Sequence, residues 1–320
     1  MRALGVALAL AAATSSASQA QPGGDNRTED IVVTATRSGI PVWRVVGART
    51  TIVLVGTIRG VSRETRWDAD SLTAALRKSD RVMFPGAVRY TASILSAPSL
   101  AAKAKKMESL PEGQTLAAHL SPDQHRRLVA LGADGWLKPG FDRKHPLQVA
   151  NDLIREALGR PGGGFMSISK VRPGHGDADS WIKAAVKKYD LNLVPIPTAR
   201  LKPVMKDLLA GPPGRHLHCL TAAMAAAEAG RGSNRRRSDA WAERRVQDVL
   251  ASPVQAALKA CSPEPMRRDS SPEVRRTVRG LLDEPLVTVA VLELGALAEP
   301  GGILDELKAQ GFEIRGPAWK

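Results

Sequence analysis

"TIVLVGTIRG" (residues 51–60) is a run of β-branched and aliphatic residues that stops at Gly56 and delivers an arginine, Arg59, just beyond the stop. A short apolar run closed by glycine predicts a strand buried on both faces, as in a parallel sheet covered by helices. A polar side chain presented immediately past such a strand lies where α/β proteins build the rim of a ligand crevice. Arg59 is therefore the first candidate functional group.

Working outward, "WRVVG" (43–47) pairs with the quoted run as a hairpin or adjacent strand, and "ADSLTAALRKSD" (69–80) predicts a helix capped by Asp70 or Ser71. "RVMFPG" (81–86) predicts a short buried strand, and this strand-helix-strand spacing favours a parallel pair. The middle of the chain is helical. "SPDQHRRLVALGADG" (121–135) has Ser121 as cap, Pro122 in the first turn and Gly132 as a left-handed stop. Further helices are predicted over 146–158, 178–189, 199–209, 217–229, 238–250 and 272–282, with a strand over 191–196. At the end, "PLVTVAVLEL" (285–294) predicts a buried strand, "GGILDELKAQG" (301–311) a helix ended by Gly311, and "FEI" a last strand. The layout is α/β, with a mixed sheet assembled from N- and C-terminal strand-helix units around a large helical middle section.

The chain has 320 residues, 43% of them apolar, and a formal net charge of +14. Arg2, the apolar run 3–13 and Ser18-Gln19-Ala20 predict a signal peptide over 1–20, so the chain is expected to be exported, in the periplasm, without a lipid anchor or transmembrane span. Residues 21–40 follow as a flexible leader, although "DIVVTATR" (30–37) has strand propensity. The two cysteines, Cys219 and Cys261, would close a disulfide worth about 4 kcal/mol in that compartment, two buried thiols being the alternative.

Positive charge thickens at "RGSNRRRSDAWAERR" (231–245) with Arg231, Arg235, Arg236, Arg237, Arg244 and Arg245, a patch able to attract polyanions or to be a plain solvated helix face. No HExxH, GxSxG, Walker A or CxxC motif occurs, and "RPGGGF" (160–165) lacks the lysine and hydroxyl of a P-loop. In "RHLHC" (215–219), His216 and His218 are the densest metal-capable pair, but two residues apart on a helix they diverge.

The segment "IPVWRVVGARTTIVLVGTIRGVSRETRWDADSLTAALRKSDRVMF" (40–84) resembles the opening of the TraB/GumN family, which includes the Tiki-type membrane metalloproteases. Trp43, Arg44, Gly56, Thr57, Ile58, Trp67 and Asp80 fall where that pattern expects them. "RSDAWAERRVQDVL", "LNLVPIPTARLKPVMKDL" and "VTVAVLELGALAEPGGILDELKAQGFEI" are similar to three later family segments, in order, so the resemblance covers 41–320 as a single domain. It implies an EreA/ChaN-like fold and a divalent metal held by two GxxH histidines and glutamates at strand ends.

Each of those positions is replaced here. The first histidine is Arg59, the two glutamates are Pro85 and Pro197, and the second histidine is Ala296, or Gly295 with a one-residue shift. Proline, alanine and glycine offer no side-chain ligand, and a guanidinium repels a divalent cation. The resemblance thus implies a framework kept and a metal site lost, in a cell-envelope binding or regulatory protein with no cofactor. Arg59 could pair internally with Glu293 or Glu64, capture an anion, or serve a new reaction. Two alternatives stay open. A hydrolase could be rebuilt from His216, His218, Asp177 or His175, and the arginines of 231–245 could form a polyanion-binding module, nucleic acid being the less favoured ligand.

Overall fold

A computed structural model describes residues 23–47, 50–85, 107–159, 178–196, 211–262 and 271–320. Strands β1 (Val42–Val46) and β2 (Thr51–Thr57) form the expected antiparallel hairpin, with Trp43 opposite Leu54. Helix α2 (Ala69–Lys78) leads to β3 (Arg81–Met83). Its cap is Asp68, whose carboxylate accepts from the Ser71 amide, rather than Asp70 or Ser71 themselves.

The strand near the C-terminus, β4 (Thr288–Glu293), is buried along all but its last residue and runs parallel to both β2 and β3. It therefore takes an interior place, between β3 and β2, in a mixed sheet that among the described residues has five strands ordered β3-β4-β2-β1-β5, where β5 is Glu313–Arg315. The expected β2/β3 pair is parallel in direction but separated by β4, because β4 is apolar on both faces and the three-residue β3 belongs nearer an edge. The segment predicted as a strand over 191–196 contributes an isolated parallel bridge, Val82 to Leu193, outside β3.

Residues 23–37 correct a second expectation. They form helix α1 (Gly23–Arg37), neither a flexible leader nor a strand. Ile31, Thr34 and Ala35 recur at helical spacing on the buried face, while Arg27 bonds the Lys78 carbonyl and the Asp80 carboxylate, and Asp30 pairs with Lys78. Packing of that stripe against α2 outweighs the strand propensity of Ile31, Val32 and Val33.

The helical middle forms a second hydrophobic cluster from α3 (Pro122–Ala133), α4 (Pro146–Ala157), α6 (Leu217–Glu228) and α9 (Pro253–Cys261), with α5 (Ala178–Lys188) packed on the sheet instead. Ser121 and Gln124 complete a capping box at α3. Gly132 stays inside α3, where an added Cβ would lie 2.6 Å from the Phe141 ring, and Gly135 takes the left-handed turn instead. Ala223, Ala226 and Ala227 are buried in α6, and their short side chains let the flanking helices approach closely.

The single helix expected over 238–250 is two, α7 (Ser233–Ala242) and α8 (Val246–Leu250), broken where Arg244 adopts a φ of 61°. The chain ends with α10 (Pro272–Leu281), β4, a five-residue helix α11 (Leu294–Ala298), α12 (Ile303–Ala309) and β5. The helix predicted over 199–209 lies outside the described residues.

Candidate functional site

Because β3, β4 and β2 are parallel neighbours, their carboxyl ends open on one edge of the sheet, the usual place for a ligand crevice in an open α/β sheet. Thr57 at the end of β2 sits opposite Glu293 at the end of β4. Arg59 follows two residues past β2, Pro85 two residues past β3, and Ala296 lies within α11 directly after β4. Three of the four positions that the resemblance aligns with metal ligands thus share this edge; the fourth, Pro197, lies outside the described residues.

Gly56 is fixed by close approach. A Cβ there would stand 2.7 Å from Leu294 Cδ1 and 3.1 Å from the Trp43 ring. The penultimate residue of β2 must therefore be glycine for the strand to lie against the indole and the start of α11.

Arg59 Nη2 meets Glu293 Oε2 at 2.8 Å, with side-chain exposures of 43% and 22%. Of the two carboxylates considered from sequence, Glu293 takes Arg59, and Glu64 instead pairs with Arg235 at 2.6 Å. Beside them the Thr57 hydroxyl donates to Asp179 Oδ1 at 2.9 Å, from the first turn of α5. Sequence reasoning missed Asp179. Its one signal was an acidic residue in a helix first turn, which favours the helix dipole wherever it occurs.

Helix α7 holds the loop that carries Arg59. Asn234 Nδ2 donates to the Gly60 carbonyl at 2.9 Å, Arg237 Nη2 to the Arg59 carbonyl at 2.5 Å, and the Ser62 amide to Ser238 Oγ at 2.9 Å. Thr65 donates to Asp239, and Trp241 Nε1 donates to the Gly56 carbonyl at 2.8 Å. Arg237 is only 2% exposed, and its Nη1 donates to Asn234 Oδ1 at 2.9 Å. Buried guanidinium nitrogens require such acceptors, so Arg237 serves the loop and not the solvent.

The other arginines of 231–245 also have neighbours within the chain. Arg231 pairs with Glu156 and lies 4.8 Å over the Trp136 ring. Arg235 pairs with Glu64 and Asp239, and Arg245 with Glu243 and Asp248. Arg236 donates to the Ala229 carbonyl, and Arg244 is exposed at the helix break. The fold spends most of this charge on internal partners.

The histidines lie at the start of α6, in the second cluster. His216 and His145 are each 5% exposed, their rings edge to face with centroids 5.2 Å apart. Burial, then the neighbouring His216 and His119, lowers His145 to about 4. His145 Nδ1 accepts from the Leu147 amide, capping α4. His218 is exposed, its Nδ1 2.9 Å from the Arg215 carbonyl and its Nε2 3.1 Å from that of Ala260. Its neighbour Cys219 is joined to Cys261 by the expected disulfide, which ties α6 to the end of α9. His175 and Asp177 lie outside the described residues.

The donor set at the edge does not fit the divalent metal that the resemblance implies. It presents a guanidinium, a proline and an alanine, with Glu293 and Asp179 engaged by Arg59 and Thr57. Among the described residues no group of three or more His, Cys, Asp and Glu side chains is placed to hold a metal ion, and no helix is long and apolar enough to cross a membrane. What the edge can do chemically is hold charge, with a permanent cation beside a carboxylate.

Neither a curated protein nor a solved structure matches the chain. The model of the TraB/PrgY/gumN family matches residues 41–316, from the strand that carries Trp43 through β5, and the chain belongs to that family.

Proposed function

We propose that this TraB/PrgY/gumN-family protein is exported to the periplasm, has lost the family's metallohydrolase chemistry, and acts as a binding or regulatory protein of the cell envelope. The observation that carries this reading is the Arg59–Glu293 ion pair at the carboxyl edge of the sheet. It puts a fixed positive charge where the resemblance places the first metal ligand, with Pro85 and Ala296 on the same edge. A divalent cation brought to that edge would be repelled by Arg59 and would compete with it for Glu293. Meanwhile the framework of Trp43, Gly56, Trp241 and the α7 contacts is retained. Export rests on the leader-like residues 1–20.

Elemental analysis of the purified protein for zinc, manganese and cobalt, run beside a peptide-hydrolysis assay with each metal added, tests the inactive-enzyme reading. The expected outcome is less than stoichiometric metal and no turnover. Stoichiometric metal, or metal-dependent cleavage, would overturn it.

A further inference from the structure

Two helices of the second cluster begin against each other. His145 stands at the N-cap of α4 and His216 at the N-cap of α6, and their buried rings meet edge to face. His145 Nδ1 accepts from the Leu147 amide at 3.3 Å, so the cap exists only while that nitrogen carries no proton. A helix N-terminus bears partial positive charge, and here two of them flank one buried ring. A proton on His145 would remove the cap, set a cation at the unfavourable end of α4 and hold it away from water. All three effects act in the same direction.

Neighbouring charges do not offset them. The groups that act on the charge of His145 are His216 and His119, and no carboxylate is among them. Glu108, Arg143 and Arg215 on the adjoining segments are exposed and Asp142 is half-buried. Lys144 holds Asp152, Asp123 on α3 holds Arg126, and Lys259 on α9 holds Glu299.

The two helix heads are unequally anchored. Three residues past His216, Cys219 is bonded to Cys261, and His218 contacts the Arg215 and Ala260 carbonyls, so the head of α6 is tied to α9. Beyond its histidine cap, the head of α4 is held to the segment before it by two backbone bonds, from the His145 amide to the Glu108 carbonyl at 3.4 Å and from the Leu110 amide to the Arg143 carbonyl at 2.8 Å. Pro146, its first residue, has no amide to contribute. Charge placed between the heads therefore displaces α4.

We propose that the His145–His216 contact is an acid-operated latch, in which protonation of His145 releases the head of α4 while the disulfide-tied head of α6 and the sheet stay folded. Release bares part of the apolar face of Leu147, Val149 and Ala150, which are buried in the closed form. The latch goes beyond the reading of the sheet edge and does not depend on it.

The test is native-state hydrogen exchange of the purified chain at pH 7.5 and pH 5.0, corrected for intrinsic rates and repeated in low urea. Opening at the amides of 147–151 is expected to rise roughly thirtyfold at the lower pH, the factor allowed by an ordinary value of 6.5 and a folded value of about 4. It should be insensitive to urea up to about 1 M, whereas amides of β2, β4 and 219–222 exchange at least about tenfold more slowly and with marked urea dependence. His145→Asn keeps a capping oxygen without a titrating ring and should hold the change at 147–151 to within about threefold. If that variant does not fold, the ring resonance of His145 in the intact chain replaces it, and is expected to shift over the same pH range in which the 147–151 amides open.

No acid acceleration at 147–151, an equal acceleration in His145→Asn, a ring that titrates without opening, or exchange at 147–151 with the rate and urea dependence of the sheet overturns the latch. Metal content and hydrolysis decide the inactive-enzyme reading separately, since neither Arg59 nor Glu293 is altered.

Discussion

Two polar clusters can be set side by side. At the sheet edge Arg59 and Glu293 meet in an ion pair at 2.8 Å and stay partly in water. In the helical cluster His145 and His216 are each 5% exposed, and burial holds His145 neutral well below neutral pH. The first arrangement is cheap to alter, because solvent screens whatever charge remains. The second is costly to alter, because any charge created there has lost its water. That contrast bears on the proposed loss of the family's chemistry: the residues that hold the molecule together lie behind the edge.

The comparison can be broken most severely at the boundary between the two regions. Trp241→Ala removes a fully buried indole and orphans the Gly56 carbonyl. It is expected to destabilise the protein by about 5 kcal/mol in chemical denaturation, at the upper end for a buried tryptophan. A loss under about 2 kcal/mol would mean that α7 does not hold the loop.

Next comes the disulfide. The paired substitution Cys219→Ser/Cys261→Ser is expected to cost about 4 kcal/mol by releasing the segment that contains α7, α8 and α9. Hydrogen exchange should show α6 and α9 losing protection before β2 and β4, since the bridge ties those two helices directly.

Acid should act on the helical cluster rather than on the edge. His145 has an ordinary value of 6.5, lowered to about 4 in the folded protein. Between those values the unfolded chain binds more protons than the folded one, so stability falls as pH drops through that window. It is complete above about 6.5, and no more is lost from this group below about 4. The loss is on the order of 3 kcal/mol at most, and His145→Gln should flatten that part of a urea-denaturation pH profile.

The smallest effect is expected at the candidate site. Arg59→Ala should change stability by about 0–1 kcal/mol, because the pair is partly solvated and salt-screened. A loss above about 2 kcal/mol would make Arg59 a structural residue of the same rank as the buried Arg237.

Much of this was legible from local pattern. The β1–β2 hairpin, the Ser121 cap with Pro122 behind it and the helix starting at Pro146 follow from rules that act within a few residues. Pairing of Arg59 with Glu293 could be named from sequence as one of two options, since both lie just past or at the end of a predicted strand. The choice between Glu293 and Glu64 could not, because it depended on Arg235 claiming Glu64 across 171 residues. Asp179 was invisible for the same reason: its bond to Thr57 spans 122 residues.

Sequence alone determined most of the strands, most of the helices and the family resemblance, all of which are properties of residue type and spacing. Tertiary structure decided that 23–37 is a helix, that β4 lies between β2 and β3, and that most of the arginines of 231–245 have partners within the chain. The physical reason is common to all three. Burial of a stripe, of a doubly apolar strand or of a guanidinium is settled by what packs against it, and those partners lie far away along the chain.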